Sequence, residues 1–159
     1  LIHKDFNQYE DAFFLYAAAM FGAQPLENLL EKVIDDLRQL GHIFFLNKGW
    51  DWESVYETKQ TLGSLTNILC GYIAKHFPKH AKKFRKRFQK CVEDRNWLAH
   101  DFFSENFQTL QTGLPDSVVT RIGLAIDRFA YTAYFLTELS KIISKALIER
   151  DASSLQNAN

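Results

Sequence analysis

Apolar residues recur every three or four positions along almost the whole chain, and nowhere is a two-residue alternation sustained. That spacing lays one apolar stripe along a helix, whereas a half-buried strand needs alternate residues on opposite faces. The chain is therefore expected to be all-α. Of its 159 residues 47% are hydrophobic, enough to build one core and too short a chain for two comfortable domains. Such a composition is not that of a disordered chain, which lacks the apolar surface to offset its ordering entropy.

The stripes divide into about five helices. A first begins near Asp5, a capping residue, and aligns Phe6, Tyr9, Phe13, Tyr16 and Met20 before Gly22 and Pro25 end it. A second opens at Pro25 and carries Leu26, Leu29, Leu30, Val33, Ile34, Leu37 and Leu40 up to Gly41, a residue suited to stopping a helix. After a connector from His42 to Trp50, a third begins after Asp51, runs to about His76 and buries Val55, Tyr56, Leu62, Leu65, Leu69, Tyr72 and Ile73. Pro78 separates it from a fourth with Phe84, Phe88, Cys91, Val92, Trp97 and Leu98. Ser104 to Gly113 reads as a polar loop. Pro115, Asp116 and Ser117 then open a long final helix through Val118, Ile122, Ile126, Phe129, Leu136, Leu139, Ile143 and Leu147. Short connections between helices point to an up-and-down bundle. It forms one domain over residues 1–150, with a polar, disordered tail at 151–159.

No apolar run approaches the roughly 20 residues that span a bilayer, and no basic segment leads into an apolar one at the start. The chain opens on Leu1 rather than Met, which leaves room for native residues ahead of it. Cys70 and Cys91 lie far apart, match no metal-ligand spacing and make no disulfide framework. A reduced, cytoplasmic chain is expected, with no metal and no cofactor. Glycine-rich phosphate loops and nucleophile elbows are also absent.

Net charge is zero, yet no acidic residue occurs between Glu57 and Glu93. The same stretch holds Lys59, Lys75, Lys79, Lys82, Lys83, Arg85, Lys86, Arg87 and Lys90, with His76 and His80 among them. A neutral chain with one basic block can present a positive face to a polyanion. RNA contact is assigned to Lys79, Lys82, Lys83, Arg85, Lys86, Arg87 and Lys90. Phe84 and Phe88 fit the buried stripe of an amphipathic helix better than base-stacking platforms.

Directly after that block comes Arg95-Asn96-Trp97-Leu98-Ala99-His100. An arginine offers a planar fork of donors to two phosphate oxygens. A histidine can take or give a proton near neutral pH, and an asparagine amide can orient either partner. Asn96 and His100, four apart, share a helix face. Arg95 and His100, five apart, diverge by roughly 140° on a straight helix. To aim both at one point, the helix must be distorted, the arginine must wrap around, or two copies must meet across a dimer.

The run from Arg95 to His100 resembles the signature of HEPN (higher eukaryotes and prokaryotes nucleotide-binding) domains, an arginine and a polar residue followed by a histidine. The helical plan, with the motif on the penultimate long helix, is similar too. The resemblance implies a metal-independent endoribonuclease, a homodimer with its active site in a cleft, and a role as a toxin or defence effector. It also implies a cognate antitoxin, in one large branch a nucleotidyltransferase. In that branch a tyrosine follows two positions after the histidine and accepts a nucleotide from the antitoxin. Here that position is Phe102, which has no hydroxyl to modify. Carried over, His100 would be the general acid or base, Arg95 would stabilise charge on the phosphate, and Asn96 would hold the geometry. The rival reading is a non-catalytic module of the same fold that binds a partner or a nucleotide. In that case Arg95 would simply pair with Asp94, Asp101 or a neighbouring helix.

Overall fold

Pro25 does not end a helix. In the computed structural model, which describes residues 2–41, 61–110 and 112–156 with side chains from Glu10 to Ser154, one helix α1 (Ile2–Gln39) runs straight through it. Ala19, Ala23, Leu26, Leu30, Val33 and Leu37 form one unbroken buried stripe on both sides of the proline. Burying Leu26, Leu30 and Val33 contributes about 1.5–3 kcal/mol each, which together exceeds the ~3 kcal/mol that an interior proline costs. Phe21 and Pro25 lie on the exposed side, so the carbonyl deprived of its donor faces water. Gly41, at φ 73°, then stops the helix as expected of a glycine there.

Three more helical rods follow among the described residues, so the count is four rather than five. Helix α2 (Leu62–His76) opens on a reciprocal cap, in which the Ser64 amide donates to Thr61 Oγ1 and the Thr61 amide to Ser64 Oγ. The expected start near Asp51, with Val55 and Tyr56, falls outside the described residues. Helix α3 (Pro78–Asn96) is separated from the end of α2 only by Phe77. It continues through a wide turn of π geometry, Trp97–Asp101, into α4 (Phe102–Leu110) as one rod. The loop expected from Ser104 is therefore helical as far as Leu110, because Phe102, Asn106 and Leu110 bury a common face and the Asn106 amide donates to the Phe102 carbonyl. The last helix, α5 (Asp116–Gln156), also outruns its expected end at 150. The Ser153 and Ser154 hydroxyls donate back to the Glu149 and Arg150 carbonyls and carry the helix into the polar stretch.

Packing partners give the helix directions. Gly22 lies against Phe129, the Ser140 hydroxyl reaches Asp36, and Arg150 donates to the Gln39 carbonyl. Residue numbers rise together in these pairs, so α1 and α5 run parallel. Helix α3 is antiparallel to both, since Phe84 meets Phe135 and Trp97 meets Arg121, while Arg95 meets Glu27 and Phe102 meets Tyr16. Gly63 of α2 lies against Val92 of α3, so among the described residues the alternation of an up-and-down order holds from α2 to α3 to α5. From Leu26 onward the core follows most of the stripes expected among the described residues, with Leu69, Phe88, Leu98, Ile122, Phe129 and Leu136 fully buried. Phe13 departs from expectation: Ala12, Ala19 and Ala23 hold the core side of α1 and leave Phe13 48% exposed. No helix among the described residues is long and apolar enough to cross a membrane.

Candidate functional site

The Arg-Asn-x-x-x-His run sits where the α3–α4 rod changes its pitch. Arg95 and Asn96 close α3, and His100 lies inside the wide turn, whose far end is the Phe102 amide bonded to the Trp97 carbonyl five residues back. Each residue of such a turn advances less around the axis than in an α-helix. Residues five apart are drawn towards one side relative to a straight α-helix, so the distorted helix among the three expected routes is present in the backbone, while the Arg95 side chain itself turns to Glu27.

Three anchors fix how the rod is rotated just there. Asp94 accepts a hydrogen bond of 2.6 Å from Arg128 Nη1 on α5. Arg95 Nη2 lies 3.3 Å from Glu27 Oε1 on α1. Trp97 is buried, donates from Nε1 to Glu105 Oε2 at 2.6 Å, and carries the Arg121 guanidinium 3.8 Å above its ring. Consecutive residues are thus pulled to different neighbours, and Asn96 and His100 are left on the outer face. Both are exposed, and neither side chain has a hydrogen-bond partner among the described residues. The Asp94 carboxyl is pushed above its ordinary value by burial, which outweighs the opposing attraction of Arg128.

The basic block divides between two sides of α3. Lys82, Arg85, Lys86, Gln89 and Lys90 line a groove beside α2. At helical spacing this face continues through Glu93 to Asn96 and His100. Lys90 is partly neutralised by Glu93 at 2.6 Å. On the other side Arg87 stacks on Tyr131 of α5 at 4.0 Å, with His80 and Lys83 nearby. Lys79 is exposed near the start of α3. Phe88 is buried and Phe84 half-buried, in line with the stripe assigned to them.

Beyond His100, Phe102 is fully buried, stacked on Tyr16 at 5.0 Å and edge-on to Trp97 at 5.5 Å. Phe103 faces outward, touches Phe13 at 5.8 Å, and is followed one turn later by Phe107, 65% exposed. Phe13, Phe103 and Phe107 therefore make an aromatic patch next to His100. Cys70 and Cys91 are free and buried, and burial raises both thiols above their usual range. Among the described residues no group of three or more metal-ligating side chains comes together.

Sequence reasoning missed Glu27, 68 positions before its partner Arg95, because nothing local couples them. It also missed Tyr131, which reads as one more residue of a long amphipathic helix. No family model matches the chain, and neither a curated protein nor a solved structure matches it.

Proposed function

We propose that the chain is a metal-independent endoribonuclease of HEPN type, a cytoplasmic toxin or defence effector that works as a homodimer and is restrained by a cognate antitoxin. One observation carries this reading: the wide helical turn begins within the motif, taking in Trp97 to His100 directly after Arg95 and Asn96, and Asn96 and His100 stand exposed at the end of a basic face. Wide turns of this kind are uncommon and concentrate at functional sites.

The chemistry follows from the side chains. His100 takes the proton of a ribose 2′-hydroxyl, whose oxygen attacks the adjacent phosphorus. The bond to the 5′-oxygen breaks, and that oxygen is protonated by a second acid, for which His100 of the other protomer is the natural group. Arg95 stabilises the charge that builds on the phosphate; loss of one such preorganised donor typically costs on the order of 2.7–4 kcal/mol. The products carry 2′,3′-cyclic phosphate and 5′-hydroxyl ends, and DNA, lacking the nucleophile, resists. Lys82, Arg85 and Lys86 guide the backbone towards the turn. The patch of Phe13, Phe103 and Phe107 supplies an apolar face for the second protomer beside His100.

A second reading draws on the Glu27 contact. An arginine tied to a carboxylate in the free chain suits a helical module that binds a partner without cleaving RNA. The test is cleavage of a structured RNA by purified protein in EDTA, comparing wild type with His100→Ala and Arg95→Ala. Cutting by wild type alone, with both variants folded by circular dichroism, supports the nuclease. Equal cutting by all three assigns the activity elsewhere, and no cutting on any RNA favours the binding module.

A further inference from the structure

The cleft between α3 and α5 is lined by His80, Lys83 and Arg87 and by the rings of Phe84, Phe88, Tyr131 and Phe135. Three of these seven carry or can carry positive charge, none is acidic, and none of the three is paired with a carboxylate among the described residues. Its floor is aromatic: Phe84 stacks on Phe88 at 5.3 Å and meets Phe135 edge-on at 4.8 Å. At its rim the Arg87 guanidinium lies 4.0 Å over the Tyr131 ring, and Tyr131 is 54% exposed. Two planar groups already stacked at the surface, with Lys83 and His80 lining the same cleft, form a platform to which a third flat ring can be added. A ligand that satisfies both features couples a flat ring to an anion, which describes one nucleotide of a single strand.

We infer that this cleft is a base-stacking subsite for single-stranded RNA, with the base on the Arg87–Tyr131 pair and its phosphate facing Lys83 and His80. The inference rests on the reading of the chain as a protein that acts on RNA. Arg87 and His100 are 13 residues apart on one rod, about 20 Å at ~1.5 Å per residue. The subsite therefore grips the strand away from the bond that is cut, and it governs affinity for unpaired RNA rather than the chemical step. The two sides of the basic block then play different parts, since Lys82, Arg85 and Lys86 track phosphates while the Arg87 side holds a base.

The experiment is fluorescence anisotropy with a labelled 2′-O-methyl oligoadenylate twelve nucleotides long, a strand that binds but cannot be cut, against wild type, Tyr131→Leu, Tyr131→Trp and Lys82→Gln/Lys86→Gln. Tyr131→Leu should weaken binding about five- to tenfold, the loss of one stacked base, and leave the salt dependence unchanged. Tyr131→Trp should restore affinity. The double lysine variant should weaken binding with a shallower salt slope, by about one per lost phosphate contact. A fully paired duplex of the same length should not distinguish Tyr131 from Leu. Equal affinity of wild type and folded Tyr131→Leu for the single strand overturns the subsite. So does Tyr131-dependent binding of free AMP as tight as that of the strand, which makes the cleft a mononucleotide site. Cleavage by wild type is scored separately: Tyr131-dependent binding without any cleavage sinks the nuclease and keeps the subsite, and the converse pattern does the opposite.

Discussion

Arg95 lies 3.3 Å from Glu27, a residue of the first helix, while the side chain of His100 stands exposed in the turn that follows, without a hydrogen-bond partner among the described residues. The arginine proposed to meet a phosphate is therefore already engaged, and under that proposal an RNA phosphate has to compete with a carboxylate. Removing that carboxylate without changing its shape frees the guanidinium. Glu27→Gln should bind RNA more tightly, with the salt slope steeper by about one contact. The pair is partly exposed, so the change in stability should stay within ~1 kcal/mol. Anisotropy titrations across a salt series decide it, and an unchanged slope removes Arg95 from the RNA contact.

Asp94 gives the fold a pH dependence opposite to that of an ordinary ion-paired aspartate. Its folded carboxyl is raised above the reference value of 3.8 by burial, so the folded chain holds that proton more tightly than the unfolded one. The contribution to stability is greatest below the unfolded value and is lost as pH rises through the raised folded value. Wild type should lose stability relative to Asp94→Asn across that window and hold a constant difference above it. Urea unfolding of both proteins from acid to neutral pH measures the difference. A wild type that gains on the variant as pH rises would mean that the 2.6 Å contact with Arg128 outweighs burial.

The all-helical class and most core positions were legible because a buried stripe is written at helical spacing, as with Leu62, Leu65, Leu69 and Ile73 or Ile122, Phe129, Leu136 and Ile143. Local breaker rules failed where packing overrode them. Pro25 reads as a start, yet the stripe from Ala19 to Leu37 crosses it; Ser104 reads as loop, yet Phe102 and Leu110 bury a helical face around it. The motif was legible as residue types, and its geometry was not, since a wide turn leaves no mark on a periodicity counted in single residues. Glu27 and Tyr131 were beyond reach for another reason: their roles arise from helices that meet far apart in sequence.

The Phe102–Phe103 pair divides between core and surface. Phe102 is fully buried under Tyr16 and Trp97, and Phe102→Ala should cost about 3–5 kcal/mol. Phe103 is 37% exposed and makes ring contacts only. Phe103→Ala should cost less than about 1.5 kcal/mol, the upper range for an aromatic pair. Denaturant midpoints rank the two, and a larger loss at Phe103 would reverse the assignment of core and surface.

The aromatic patch beside His100 can be tested without disturbing the core. Phe107 is 65% exposed, so Phe107→Asp should leave the thermal midpoint within a few degrees. If the patch joins two protomers, the charge should turn a dimer into a monomer by light scattering and depress RNA cleavage with it. A variant that stays dimeric moves the interface elsewhere.

The wide turn itself is the most direct target. It takes up one residue more than an α turn between α3 and α4, and Ala99 within it makes no side-chain hydrogen bond. Deleting Ala99 lets the rod close into continuous α-helix while α4 keeps its phase, so Phe102 and Leu110 should return to the core. The imidazole, by contrast, moves relative to Arg95 and Asn96. The deletion variant should therefore fold with a modest loss of stability and no longer cleave RNA, while still binding the basic face. Thermal unfolding and cleavage on one preparation separate the outcomes. A folded variant that cuts as well as wild type would detach the turn from the chemistry, and a variant that does not fold would show that α4 depends on the extra residue for its register.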